Sequence, residues 1–464
     1  MARFWIFVFI VAPAFAGEFT LPQAVELALK QNRDLHAAEL TLQGSRYGVE
    51  AAKASFAWAL RPNGQVSSSD QMKTTQIGLN LVKTAEAGTT LTAGPQLSAT
   101  STKNADPVKS GMMTVQIEQP LFRRFGALEN REILTRAEHS VLSSRRDLEL
   151  RRNDLVVQVA ESHAALLQLQ QKEEFDRQSL ERLVKLFRLT AARERQGRAA
   201  HGDTLRADLQ RGRAESSLQT TREQIESRRR DYADLLGLEP TTDIVAVAGA
   251  RLEIALPDPG RVAAIALSNR LDFAQVMQDL GDAERGTKIS ARNLMPDISL
   301  VARYDWMGQG KKYDDAVRLN NENWFVGLSA GNNDLLQSGE RAALKQAQAG
   351  ELNAALRVDV VRIAIERQAL NELSAYTRST QQIAVEERNY ALALDRAKLA
   401  RRLFEQDRGD NFTVSDAENE LQSAETSVLD ARSSANIAAY RLLRSLGTLL
   451  EAPVDLKPGP LASR

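Results

Sequence analysis

No cysteine occurs in the 464 residues, which excludes a disulfide framework, thiolate metal sites and a lipid carried on an N-terminal cysteine. Aromatic residues are only 5% of the chain, and neither charge sign dominates, with 60 basic against 60 acidic side chains. The signs are interspersed. Arg145-Arg146, Arg151-Arg152 and Arg228-Arg229-Arg230 all have acidic neighbours, so they read as solvated helix faces and no nucleic-acid partner is expected. Beyond the N-terminus no run of about 18 apolar residues exists, so no transmembrane helix is expected there. His36, His139, His163 and His201 form no i,i+3 or i,i+4 pair, and no phosphate or dinucleotide loop occurs. The chain therefore predicts no metal, no cofactor and no energy source of its own. Gly327-Leu328-Ser329-Ala330-Gly331 formally matches a nucleophile elbow. It lies in an alternating strand instead of a strand-turn-helix on an α/β sheet, and no histidine is placed to reach it, so no enzyme is expected.

Proline and glycine are missing from two long stretches. From Gly126 to Gly197 there is neither in the interior, and Gly339 to Gly409 repeats this with only Gly350 near its start. Both are rich in Ala, Leu, Glu, Arg and Gln, and each reads as one helix on the order of 105 Å long. Leu155, Val159, Leu166, Leu169, Leu180, Leu183 and Phe187 follow the 3-4 spacing of a coiled-coil seam, interrupted by Glu173 and Asp176. The chain is a duplicated long-helix unit.

Taken in order, residues 1–16 read as a signal peptide. Arg3 precedes the apolar run Phe4 to Val11, and Ala14-Phe15-Ala16 is a small-x-small cleavage site. The first copy, 17–238, opens on Thr20-Leu21-Pro22-Gln23, a capping box with proline in the first turn. It holds a helix to about Phe56, strands over about 60–119 and a helical hairpin over about 127–236, with Asp203 capping the returning helix. Residues 239–257 are a linker without assignment. The second copy, 258–450, opens on Asp258-Pro259 and has strands over about 297–331 and a hairpin over about 340–447. A tail, 451–464, is predicted to be unstructured. Ala28-Leu29 aligns with Ala266-Leu267 at an offset of 238, which falls to 213 beyond the strands (Gly126 against Gly339) and 212 at the hairpin ends. About 25 extra residues thus lie in the first β region, as an added hairpin or a long loop.

The strands alternate. In Leu91 to Thr100 the odd positions are apolar or small and the even ones small or polar, and Ile77 to Leu81, Met113 to Ile117, Ile298 to Trp306 and Trp324 to Ala330 behave alike. One apolar and one polar face fits a membrane β-barrel, and equally a small sheet on a soluble domain. Tyr304, Trp306 and Trp324 suit an interfacial belt.

Several pieces resemble the TolC family of outer-membrane efflux and secretion ducts. They are Leu21-Pro22-Gln23-Ala24-Val25 with Ala28-Leu29 and Asn32, then Gln119-Pro120-Leu121-Phe122, Arg270 to Phe273, and Leu294-Met295-Pro296. Their order and duplication cover the chain to about Leu450. Trp58 stands where the family has its step proline, and Asn332-Asn333-Asp334-Leu335-Leu336 replaces its second Pro-Leu-Phe. The resemblance implies a mostly α fold with a membrane β-barrel portion. It implies a homotrimer whose hairpins form an α-barrel and whose strands, four per chain, share a twelve-stranded β-barrel in outer-membrane lipid.

The implied function is an exit duct that conducts passively from a periplasmic adaptor protein and an inner-membrane transporter to the exterior. The alternative is a soluble periplasmic coiled-coil scaffold. In the family the hairpin tips meet the adaptor and close the duct, and they carry a glycine followed six residues later by an aspartate. Gly197 and Asp203 match this. Gly409 is followed at that spacing by Ser415, leaving Asp416 and Glu418 as the acidic candidates for a gate.

Overall fold

The computed structural model describes residues 17–458 except 104, 250, 251, 253, 256, 332–335 and 407. The expected signal peptide and the Asn332–Leu335 departure lie outside the described residues.

In chain order the first copy comprises β1 (Gly17–Thr20), α1 (Leu21–Gln31), α2 (Arg33–Ala54), β2 (Ala59–Ser68), β3 (Met72–Thr84), β4 (Thr90–Thr102), β5 (Val108–Pro120), α3 (Ala127–Asn130), α4 (Glu132–Arg195) and α5 (His201–Leu235). After β6 (Ile244–Val247) the second comprises α6 (Pro259–Asn269), α7 (Leu271–Arg292), β7 (Ile298–Gly310), α8 (Tyr313–Ala316), β8 (Asn321–Ala330), α9 (Ser338–Glu405) and α10 (Asn411–Leu446). The chain divides into two compact units. One holds the described residues to Glu39, Asp147–Asp272 and those from Arg362; the other holds Leu40–Arg146 and Phe273–Val361.

The helical unit shows the duplication most directly. Each copy's opening helix is interrupted once, at Asn32 and at Arg270, where the backbone is extended. The Asn32 carboxamide spans the first break, donating to Leu235 O at 3.0 Å and accepting from the Asp34 and Leu35 amides. Each returning helix ends on a left-handed glycine, Gly237 at φ 76° and Gly447 at φ 69°. A Cβ on Gly237 would meet Gln31 O at 2.3 Å, and one on Gly447 would meet Asn269 C at 2.9 Å. Only glycine combines that φ with so close an approach. The seam of α4 is core at Leu155, Val159, Leu166 and Leu183. Asp176 stays within it, its carboxylate held by Lys172 Nζ at 2.6 Å and Thr221 Oγ1 at 2.7 Å.

Three expectations change here. The unassigned linker contains β6, which pairs in parallel with β1 and buries Ile244 and Ala246. The predicted loose tail is folded through Lys457, because Ala452 and Leu456 are buried around a 3-10 turn at Val454–Leu456. Asp203 is not the helix cap. That position is Ala200, which has no capping side chain, and Asp203 sits in the first turn.

In the second unit the strands form one antiparallel sheet, ordered β2-β3-β4-β5-β7-β8. It has six strands, where the family resemblance implied two per copy and the surplus in the first copy left an added hairpin or a long loop open; the hairpin is what forms. The first copy supplies four and the second two. β5 and β8 end at Pro120 and Ala330, an offset of 210, as do α5 and α10 at their starts. The surplus is thus close to 28 residues, 238 less 210, and β3 with β4 accounts for it. Their connecting turn is anchored: Gly126 N donates to Ala87 O at 3.0 Å, and Gly88 takes φ 91°.

Candidate functional site

Cross-strand register carries one apolar row over the whole sheet. Leu81 pairs with Leu60 and Ala93, and Ala93 with Val115. Val115 then pairs with Tyr304, and Tyr304 with Trp324. Leu91 to Ala99 is eight steps, about 26 Å along the strand at ~3.3 Å each, or about 20 Å of height at a strand tilt of ~40°, most of the ~25 Å apolar band of outer-membrane barrels. Lysines bound the row: Lys83, which pairs with Leu91, lies 5.3 Å from the Trp58 ring, and Lys109, which pairs with Ala99, lies 4.2 Å from the Tyr313 ring. Tyr304 and Trp306 meet at a tilt of 52° with ring centroids 4.6 Å apart, and Tyr304 donates to Glu322 at 2.5 Å. The opposite face is polar, with Asn63, Gln76, Gln96, Thr114 and Asn323. There Asp305 is buried, accepting from Thr114 Oγ1 at 2.8 Å and pairing with Arg303 at 2.9 Å. A wall with these two faces separates lipid from water.

The hairpin tips belong to the helical unit, and the structure ties them to each other. Gly197, at φ 69°, ends α4 with Arg198 N donating to Arg193 O. At the second tip the same six-to-one bond runs from Arg408 N to Leu403 O. The structural offset is therefore 210, not 212, and Gly409 is not the counterpart of Gly197. Gly409 lacks a positive φ and is confined instead by Phe404 N, 3.2 Å from where its Cβ would lie. By helix start Asp203 corresponds to Thr413. The second tip has a true cap, Asp410, whose carboxylate accepts from Thr413 N at 2.8 Å. Asn411 Nδ2 donates to Asp203 O at 2.9 Å, and Arg193 donates to Phe404 O at 2.7 Å while lying over its ring. Arg193 and Asn411 carried no sequence signal, since a charged or amide side chain near a helix end is ordinary.

The two acidic gate candidates separate. Asp416 is exposed and pairs with Arg396 at 2.7 Å. Glu418 is 4% exposed and is held by Arg182 at 2.9 Å and Arg401 at 3.1 Å, so it presents no free carboxylate to water. Two helical turns further on the same face, Glu425 is equally buried and lies 3.9 Å from Arg182. Burial pushes its carboxyl up to about 7, with the guanidinium of Arg182 opposing. Around them Leu183, Leu186, Ala397, Phe404, Val414 and Leu421 form an apolar core. Removing one partner of such a buried cluster generally costs about 3–5 kcal/mol.

His163 is buried, accepts from or donates to Tyr232 Oη at 3.0 Å and contacts Val247 O at 3.2 Å; burial lowers its pKa. His139 pairs with Asp282 and His201 with Glu194. No group of metal-holding side chains occurs among the described residues. Ser329 is inside β8, opposite Ser299.

A family model described as outer membrane efflux protein matches residues 24–238. The chain is 22% identical over 378 residues to the outer membrane efflux protein BepC of Brucella suis biovar 1, covering 79% of this chain and 78% of that one. Among solved structures, the Campylobacter jejuni CmeC outer membrane channel gives a TM-score of 0.74 at 12% identity, covering 94% of this chain and 87% of that one. The outer membrane protein VceC of Vibrio cholerae gives 0.72 at 16%, covering 92% and 96%.

Proposed function

We propose, for a chain that belongs to the outer membrane efflux protein family, that it is the outer-membrane exit duct of a tripartite efflux pump or type I secretion system. Three copies share one β-barrel in the outer membrane, and their helical hairpins form a periplasmic tunnel. A periplasmic adaptor delivers cargo from an inner-membrane transporter, and the duct conducts it passively. The observation that carries this is the sheet with one apolar and one polar face and two unpaired edges. An open edge in lipid leaves backbone groups unsatisfied at several kcal/mol each, so copies must join. A second feature supports association: along α9, Leu352, Leu356, Val360, Ile363 and Leu370 recur at helical spacing and stay at least 42% exposed in the single chain. A soluble periplasmic scaffold would leave both surfaces without a purpose.

The tips carry the adaptor contact and the gate, through the turns at Gly197 and Gly409, Asp203 in the first turn of α5, and the exposed carboxylate of Asp416. Glu418 supports them from within. Detergent-extracted protein is expected to have the mass of three chains and to form channels in planar bilayers. Asp416→Ala is expected to raise single-channel conductance at unchanged trimer yield. A water-soluble monomer without conductance would overturn the duct, and unchanged conductance in the variant would remove Asp416 from the gate.

A further inference from the structure

The strand count and the two sheet edges bear on how the barrel closes. β2 and β8 are each ten residues long, while the four strands between them with full membrane rows are each thirteen. Both edge strands are exposed along nearly their whole length. Six antiparallel strands are an even number, so β2 and β8 run in opposite directions. On the apolar face β2 offers Leu60, Pro62 and Val66, and β8 offers Trp324, Val326 and Leu328. Pro62 has no amide hydrogen, so it donates to neither neighbouring strand and costs the ladder one bond at that position. Setting β8 of one copy against β2 of the next therefore continues the antiparallel order and both faces without a break.

Resting on the three-copy reading above, we propose that a second copy of this chain is the partner of each edge, and that the shared barrel has eighteen strands. Closure within one chain is excluded by size. At ~4.8 Å between strands and a tilt of ~40°, six strands give a radius of about 6 Å, below that of the eight-stranded barrels that side chains just fill. Eighteen give about 18 Å, against about 12 Å for twelve. The β3–β4 pair is part of the wall and not an appendage: it lies between β2 and β5 in the hydrogen-bonded order, and its turn is tied to the segment after β5 by the Gly126 amide and to the end of β5 by Thr89 with Gln119. A wall this wide leaves selection of cargo to the helical tips.

The absence of cysteine makes the seam directly testable. Asn63→Cys or Gln65→Cys in β2 is combined with Asn323→Cys or Gly327→Cys in β8, all on the polar face, and the membrane-inserted protein is oxidised. At least one combination is expected to give a dimer and trimer ladder on a non-reducing gel. Electron microscopy of the wild-type protein in nanodiscs is expected to show a barrel radius of about 18 Å. A trimer with a radius of about 12 Å, or cross-linking confined to single chains, would overturn the eighteen-stranded seam while leaving the duct standing. A monomer in the membrane would overturn both.

Discussion

The two copies agree closely in their helices and differ in their strands. From the end of the β region to the hairpin tips and back, the offset holds at 210, yet the first copy crosses the sheet four times and the second twice. The added segment is a whole hairpin. Two strands return the chain to the side it left and preserve the inward and outward alternation, whereas one would reverse its direction and strand the following helix on the wrong side. A wall of this kind can grow, but only in pairs.

The sharpest way to break the comparison is to make the copies alike. Deleting residues 70–103 removes β3 and β4 and joins β2 to β5 through a short loop. This variant is expected to insert and assemble with a barrel narrower by about a third, in proportion to strand number. Deleting β3 alone is expected to abolish insertion, read as loss of the protein from the outer-membrane fraction. Equal insertion of the two deletions would show that the pairing rule is wrong.

The returning helices also differ. Glu425 is buried in α10, while Glu215, its counterpart at an offset of 210, is exposed in α5. Because the Glu425 carboxyl is raised from 4.5 to about 7 in the fold, the folded protein holds the proton more tightly than the unfolded chain. Its contribution is greatest below pH 4.5 and is lost as pH rises toward 7, by on the order of 1–3 kcal/mol. Glu425→Gln is expected to flatten thermal stability between pH 5 and pH 8, while Glu215→Gln leaves the profile unchanged. A wild-type profile that rises over this interval and is retained in Glu425→Gln would refute the assignment.

The smallest effect concerns the caps. Asp410→Ala is expected to cost about 1 kcal/mol, and Ala200→Asp to gain a similar or smaller amount, as one side-chain cap is lost or added. Chemical denaturation of the two variants reads both signs, and equal midpoints would mean that tip packing outweighs capping.

The long helices, the duplication and the strands with clean alternation were legible because period and composition are local properties. The edge strand β2 fell inside the expected strand region of about 60–119, but Arg61-Pro62-Asn63-Gly64-Gln65 carries no alternation of its own, and its register comes from β3 beside it. At the tips, glycine was a misleading landmark: the copies correspond by their helix starts, at His201 and Asn411, and those bring Asp203 to Thr413. Glu418 and Glu425, seven apart, resemble a solvated face. Their burial depends on Arg182, which lies 236 residues before Glu418 in the chain, beyond the reach of any local pattern.

Gly237 seated against Gln31, and Gly447 against Asn269, make each copy a ring of chain that fastens where its returning helix meets its opening one. What is threaded between the fastening points, two strands or four, leaves the clasp unchanged. Because an exported chain emerges from its N-terminal end, the first ring can snap shut while the second is still being delivered. The second waits for the end of α10 at residue 447, so a chain cut short before that helix would arrive with one ring fastened and the other open.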